Sequence, residues 1–189
     1  MEPLEQIIDF ANKAHGTQRR KYADEPYIEH PKRVMEKCRQ FNDHITILAA
    51  AILHDVLEDT DVNKKQLEAF LLTVMEQADA KQTVNLVVEL TDVYVKTAYP
   101  RWNRRKRKNK EAARIEKTSG ESQTIKYADI IDNTSEIVQQ DPDFAKLFLY
   151  ECNMLLKKIN KGNQQLYREA VDSVNAKLLD LRKGGTASE

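Results

Sequence analysis

The segment 45–57 constrains the fold more than any other part of this chain, because apolar residues lie on every side of a helix drawn through it. A helix of this kind is stable at the centre of a bundle, where neighbouring helices cover all of its faces. Asn42 or Asp43, just before the segment, has a side chain suited to a helix N-cap. The segment therefore predicts an all-α fold with this helix in the core.

Few residues interrupt the rest of the chain, since its 189 residues contain five Gly and five Pro. Long uninterrupted segments favour helices over the short strands of a sandwich or barrel. Apolar spacing predicts a first helix at 3–15 and later helices at 34–41, 67–75, 84–88, 125–137, 144–159 and 166–181. The polar stretch 16–31 is predicted to be an ordered loop. We expect one domain at 1–183 and a flexible tail at 184–189.

The charges of the chain balance, with 30 basic and 30 acidic residues. No overall field therefore draws it to nucleic acid or to an anionic membrane. Cys38 and Cys152 have no CxxC partner, so we expect both to be buried, reduced thiols. The first residues lack a basic leader, and no apolar run approaches the roughly 18 residues of a membrane span. These features predict a cytoplasmic protein that is not in a membrane.

The apolar segment ends abruptly in four polar residues, His54, Asp55, Glu58 and Asp59. If the helix continues through them, His54 stacks over Glu58 and Asp55 over Asp59, because residues four apart share a face. Polar groups at the end of a buried helix are costly unless something binds them. This end of the helix is therefore the predicted functional site.

Two further residues offer ligand atoms for a metal, His30 in the 27–31 segment and Asp129, with Asn133 four residues later. Two imidazoles and two carboxylates form a mixed nitrogen and oxygen set, suited to Mn, Fe, Zn or Co. His15 and His44 stand at predicted helix ends, where an imidazole is common without a metal. We therefore exclude both from the predicted ligand set.

The run 101–110 contains seven basic residues in ten. Such a run has three interpretations: a nucleic-acid patch, a rim that attracts an anionic nucleotide, or a solvated helix face. Composition alone does not choose among them.

Several segments, in order, resemble the HD hydrolase domain of the RelA/SpoT group, especially its small stand-alone alarmone hydrolases. The segments are 14–15 (AH), 18–21 (QRRK), 26–31 (PYIEHP), 54–60 (HDVLEDT), 126–129 (KYAD) and 133–134 (NT). The resemblance covers most of the chain and implies a single-domain, metal-dependent helical bundle.

The resemblance also implies roles for individual residues. It makes one Mn²⁺ ion the cofactor, with the ligands His30, His54, Asp55 and Asp129. It assigns the attacking water to Glu58 and Asp59, and the orientation of the substrate to Asn133. The implied substrate-binding residues are Arg20, Lys21, Arg104, Arg107, Lys108, Lys146 and Tyr150.

The implied reaction is hydrolysis of the 3′-diphosphate of ppGpp or pppGpp, which gives GDP or GTP and pyrophosphate. The chain leaves no room after Leu181 for the synthetase and regulatory domains of long relatives, which implies degradation only. The loop 22–25 (YADE) replaces a short Ser-Gly-Glu of many relatives, so the choice between guanine and adenine stays open, as does the oligomeric state.

Two alternatives accompany this hypothesis. One is an HD phosphohydrolase that acts on another nucleotide, such as (p)ppApp or a nucleoside monophosphate. The other is a nucleic-acid-binding module with a structural metal. The Glu58 and Asp59 pair argues against the second, because a structural metal needs no base. The expected partner is a small-molecule nucleotide rather than nucleic acid.

Overall fold

The computed structural model describes residues 2–21 and 23–184, apart from the side chains of residues 136, 183 and 184. Ten α-helices are found in these residues, which confirms the predicted all-α class. The contacts within the chain form two compact units. The first contains residues up to Arg20 together with Asp24–Asp92, and the second contains Lys21–Ala23 and the residues from Val93 onward.

The domain boundaries stay predictions. The prediction of one domain at 1–183 stands beside the two compact units of the structure. Gly184 ends the last helix, and the rest of the predicted tail, 185–189, lies outside the described residues.

The first unit is built around the predicted central helix. Its helices are α1 Pro3–His15, α2 Glu29–Arg39, α3 Ile45–Leu53, α4 Val56–Asp59, α5 Lys64–Val74 and α6 Gln77–Leu90. Helix α3 packs against α1, α2 and α6, and all of its residues from Thr46 to Leu53 are buried. Burial of a helix on every side explains why its sequence has no polar face.

Both ends of the central helix differ from the prediction. The N-cap is His44, whose Nδ1 accepts a hydrogen bond from the Thr46 N–H, whereas Asn42 accepts from the His44 N–H one step earlier. The helix does not run to residue 57: α3 ends at Leu53, and α4 begins at Val56. Asp55, the N-cap of α4, has φ −98° and ψ −7°, which breaks the regular helical path.

The predicted loop at 16–31 is shorter than expected. Helix α2 already begins at Glu29. Pro31 is tolerated in its first turn, because the backbone N–H that proline lacks has no partner within the helix there. The remaining loop closes on itself: the Tyr27 N–H donates to the Gln18 carbonyl at 3.0 Å, and the Arg20 N–H to the Glu25 carbonyl at 3.1 Å. The loop is ordered, as predicted, and it places Tyr27 one turn before His30.

The second unit is also a helical bundle. Its helices are α7 Arg104–Ile115, α8 Gly120–Gln140, α9 Pro142–Leu156 and α10 Gln164–Gly184. Helix α8 packs against α9 and α10, and α9 also packs against α7 and α10. The core of this unit includes the fully buried Ile125, Leu149 and Leu166. Apolar spacing predicted α8, α9 and α10 close to their observed positions.

The two cysteines are free and buried, as predicted. Burial raises the pKa of the Cys152 thiol to about 12, with a smaller contribution from the negative charge of Asp129. A thiol of this kind is an inert packing group rather than a nucleophile.

Buried polar side chains of α8 fix the turn between α9 and α10. The Tyr127 hydroxyl donates to the Ile159 carbonyl at 3.1 Å, and Thr124 Oγ1 accepts from the Asn163 N–H at 2.9 Å. Gly162 lies against this helix so closely that a Cβ atom would stand 2.6 Å from the Tyr127 ring and 2.8 Å from the Thr124 backbone nitrogen. Glycine at 162 therefore permits the close approach.

Gly162→Ala should destabilise the protein by about 1–3 kcal/mol, because the added methyl group overpacks a site bounded by backbone. Denaturant unfolding monitored by circular dichroism measures this change. Asn160→Ala, in the same turn but exposed, is the matched control and should change stability by less than about 0.5 kcal/mol. Equal stabilities of the two variants would contradict the packing argument.

Candidate metal and active site

Three predicted ligands converge in the first unit. His30 lies in the first turn of α2, while His54 and Asp55 occupy the break between α3 and α4. One ligand atom from each lies within 4.8 Å of the other two. Asp55 Oδ2 is 3.0 Å from His54 Nε2 and 3.7 Å from His30 Nε2. The imidazoles are buried, with exposures of 1% and 3% for His30 and His54.

The His54 ring is oriented by a contact behind it. Its Nδ1 is 2.7 Å from the Ala51 carbonyl, which only accepts, so Nδ1 carries the proton and the lone pair lies on Nε2. A backbone carbonyl of this kind fixes many metal-binding histidines. The donor set and its orientation therefore fit a divalent ion that accepts imidazole and carboxylate ligands.

Tyr27 joins two carboxylates of the site, a role that the sequence did not predict. Its hydroxyl lies 2.7 Å from Asp55 Oδ2 and 2.9 Å from Asp59 Oδ2. Desolvation, followed by the charges of Asp55 and Asp59, raises the pKa of the Tyr27 phenol far above its usual value, so it is a donor. Desolvation and the neighbouring Asp55 charge also raise the pKa of Asp59.

The break at residues 54–55 corrects the predicted stacking on one continuous helix. The Asp59 N–H still bonds to the Asp55 carbonyl at 2.8 Å, so these residues remain one turn apart. Glu58 is exposed, and its Oε2 accepts from the Asp92 N–H at 3.0 Å, just beyond α6. Glu58 thus ties α4 to the end of α6, and its assignment to the attacking water stays a prediction.

Asp129 and Asn133 lie one turn apart on α8, in the second unit. The Asp129 side chain is 8% exposed, its Oδ2 is 2.8 Å from the Lys126 ammonium, and its Oδ1 accepts from the Asn133 amide at 2.5 Å. A nearby cation favours the ionised form of a buried carboxylate, which is the form that binds a metal. Its place as the fourth ligand stays a prediction.

Arg20, predicted to contact the substrate phosphate, and Lys21, predicted to lie along the nucleotide, fall in different units. The Arg20 guanidinium lies 5.9 Å from the centre of the Tyr27 ring, in the first unit. In the second unit, the Lys21 ammonium is 3.6 Å from the Asp141 carboxylate and 5.5 Å from the Phe144 ring centre. Their contacts with substrate stay predictions.

The basic run forms most of α7, and part of its charge is neutralised within the second unit. Arg104 makes two hydrogen bonds to the Glu151 carboxylate, at 2.7 and 2.8 Å, and Arg107 donates to the Trp102 carbonyl at 2.5 Å. The remaining substrate-binding predictions are Lys108 on α7 and the exposed Lys146 and Tyr150 on α9.

His15, which we excluded from the predicted ligand set, also lies near the site. It lies at the end of α1, 6% exposed, and its ring stacks on Tyr27 with centroids 4.5 Å apart. Its Nδ1 bonds to Gln18 Oε1 at 2.9 Å. No spacing rule places His15 near Tyr27, because the loop 16–28 brings them together. His44, the other excluded histidine, is the cap of α3.

One protein-family model matches this chain. The model of the HD domain family matches residues 27–134, a stretch that includes all four predicted metal ligands.

Two curated relatives carry the name of one enzyme. The chain is 30% identical to the human guanosine-3′,5′-bis(diphosphate) 3′-pyrophosphohydrolase MESH1, over 74% of this chain and 72% of the relative. It is 27% identical to a probable enzyme of the same name from Mycoplasma pneumoniae, over 82% of this chain and 21% of the relative. The chain spans about a fifth or less of the length of several bacterial relatives.

A solved structure has a similar fold. It is described as a metazoan ortholog of SpoT that hydrolyzes ppGpp, and it aligns with a TM-score of 0.71 over 97% of this chain and 96% of its own. The two sequences are 21% identical, so this likeness shows the fold alone.

Asp55→Asn should weaken Mn²⁺ binding by about 100-fold or more, since removal of a partner behind a ligand alone costs about 10–100-fold. Titration calorimetry on the purified protein measures the affinity. The matched control is Asp61→Asn, an exposed acid six residues further on, which should bind as the wild type does. Equal affinities in the two variants would remove Asp55 from the ligand set.

Proposed function

This chain belongs to the HD domain family, and from that premise we propose that it removes the 3′-diphosphate of guanosine alarmones. The substrates are ppGpp and pppGpp, and the products are GDP or GTP and pyrophosphate. The observation that carries the proposal is the 30% identity to human MESH1, which extends over 72% of that protein. The same match extends over 74% of this chain.

The proposed cofactor is one Mn²⁺ ion. His30, His54 and Asp55 supply converging ligand atoms, and Asp129, a buried carboxylate within the family match, is the proposed fourth ligand. A divalent ion held by these residues promotes the ionisation of water and offsets negative charge on phosphate. Other divalent transition metals fit the same donor set.

Asp59 is the proposed acceptor of the proton from the attacking water. It lies one turn after the ligand Asp55 and shares the Tyr27 hydroxyl with it. The water oxygen forms a bond to the phosphorus attached to the 3′ oxygen, and the bond between that phosphorus and the 3′ oxygen breaks. One water proton passes to Asp59. The 3′ oxygen is the leaving group and takes up a proton to become the 3′ hydroxyl, while the diphosphate, now bonded to the water oxygen, is released as pyrophosphate. Glu58 is proposed to orient the water.

Cationic and aromatic side chains are proposed to bind the nucleotide. Arg20 neutralises charge on the transferred diphosphate, and Asn133 orients the substrate. Lys21 lies along the nucleotide, and the basic helix α7 attracts the anion through the proposed contacts of Arg104, Arg107 and Lys108. On α9, Lys146 and Tyr150 are proposed to line the nucleotide pocket, since both are exposed and four residues apart on one face.

The proposed setting is the cytoplasm. Among the described residues, no helix combines the length and the apolar character that a membrane span requires. The balanced charge of the chain favours a small nucleotide over nucleic acid as the partner.

Incubation of the purified protein with ppGpp should release GDP and pyrophosphate with Mn²⁺ and should release neither in excess chelator. Anion-exchange chromatography separates the products, and ppApp is tested in parallel. Turnover of ppApp alone would move the proposal to adenosine alarmones. Release of orthophosphate from nucleoside monophosphates, with ppGpp untouched, would contradict it.

Asp59→Asn should keep Mn²⁺ binding and lower kcat about 100–10,000-fold, because the variant removes the proton acceptor and not a metal ligand. Calorimetry and the ppGpp assay give the two measurements. Asp61→Asn again serves as the matched control. Wild-type turnover by Asp59→Asn would exclude Asp59 as the base.

A further inference from the structure

The hydroxyl group of Tyr27 contacts the carboxylates of both Asp55 and Asp59. We propose that Tyr27 is a positioning residue, which holds the metal ligand Asp55 and the proton acceptor Asp59 in one fixed geometry, and that His15 supports its ring. This inference deepens the proposed function and rests on it for the identity of the reaction.

The first step of the argument is the oxygen atom that Tyr27 contacts. Of the two carboxylate oxygens of Asp55, the hydroxyl contacts Oδ2, the one that lies 3.0 Å from His54 Nε2 and 3.7 Å from His30 Nε2. A hydrogen bond to this oxygen limits rotation of the carboxylate about its Cβ–Cγ bond. The Asp55 oxygen that faces the imidazoles therefore stays in place.

The second step is the shared contact with Asp59. A phenol has a single proton, yet Tyr27 Oη lies within 2.9 Å of oxygens from both carboxylates. The proton is therefore shared, and it draws together two acidic groups whose charges would otherwise repel. The backbone places Asp55 and Asp59 one turn apart, and one hydroxyl group then fixes their two carboxylates relative to each other.

The third step is how firmly Tyr27 itself is held. Its ring stacks on His15 at 4.5 Å and meets the His30 ring edge-on at 6.1 Å, while the Arg20 guanidinium lies 5.9 Å from its centre. Its backbone N–H bonds to the Gln18 carbonyl at 3.0 Å. A side chain fixed from several directions orients the groups that it contacts at little further cost in entropy.

His15 supports the ring through the same loop. Its Nδ1 bonds to the Gln18 side chain, so the residue that pairs with the Tyr27 backbone also orients the imidazole. Its Nε2 is buried and has no hydrogen-bond partner among the described residues. Support of the Tyr27 ring gives this histidine a function in the site.

Tyr27→Phe tests the proposal because it removes the hydroxyl and keeps the stacked ring. Mn²⁺ affinity by calorimetry should fall about 10-fold and kcat on ppGpp about 10–100-fold, while KM changes less than about 3-fold. The visible spectrum of the Co²⁺-loaded protein should also change, since it reports the ligand geometry. The matched control is Tyr167→Phe, whose hydroxyl donates to the Leu156 carbonyl in the second unit and whose loss should lower Tm only.

The role of His15 is tested by a double-mutant cycle. His15→Ala should lower kcat about 10-fold, and the His15→Ala, Tyr27→Phe double variant should be no slower than Tyr27→Phe alone, because His15 acts through the hydroxyl. If kcat of the double variant instead falls by the product of the two single effects, the supporting role of His15 is overturned.

Unchanged Mn²⁺ affinity, Co²⁺ spectrum and kcat in Tyr27→Phe would overturn the positioning role of Tyr27, and so would a change in KM alone. The two metal measurements need no substrate. If the wild type does not hydrolyse ppGpp, the proposed function fails, while these measurements still decide whether Tyr27 positions Asp55.

Discussion

The burial of α3 sets the conditions for the whole site. Residues Thr46–Leu53 are buried, so the chain leaves an apolar core at the point where His54 and Asp55 begin. Imidazole and carboxylate groups in such surroundings raise the free energy of the folded state unless each has a partner. The first unit supplies partners from three directions: a backbone carbonyl behind His54, the His30 ring beside it, and the Tyr27 hydroxyl on Asp55. Two imidazoles and a carboxylate then share one small volume, an arrangement whose charges a divalent cation balances.

The break between α3 and α4 brings the polar side chains of the site together. On a regular helix, His54 and Asp55 would point in directions about 100° apart. The turn at Asp55 instead brings its Oδ2 within 3.0 Å of the neighbouring imidazole nitrogen, and α4 presents Asp59 one turn later. Desolvation, followed by the nearby charge of Asp55, raises the pKa of Asp59, and the hydrogen bond from the Tyr27 hydroxyl offsets part of this rise. The site is therefore organised at the expense of stability, as is common where charged groups must react.

Buried polar side chains with hydrogen-bond partners also hold the loops of the second unit. Glu111, 3% exposed, accepts hydrogen bonds from the backbone N–H groups of Val93 and Tyr94 and also pairs with Arg114. These bonds fix the segment that leads into the basic helix α7. Buried polar groups of α8 fix the turn before α10 in the same way. Each loop is held by side chains that would be costly to bury without these partners.

The sequence by itself determined the all-α class, the central helix and the ligand types, because apolar periodicity and a cluster of polar residues after a buried helix are local patterns. The ordered motifs, read as a resemblance, also indicated the HD family, which the family match confirms. The predictions of a helix that continues to residue 57 and of a cap at Asn42 or Asp43 were wrong, since a single-residue change of backbone direction leaves no mark on periodicity. Only the tertiary structure placed His15 and Tyr27 beside Asp55 and Asp59. Their contacts join α1, the loop 16–28 and α4, and long-range packing of this kind depends on the path of the loop rather than on the spacing of residues along the chain.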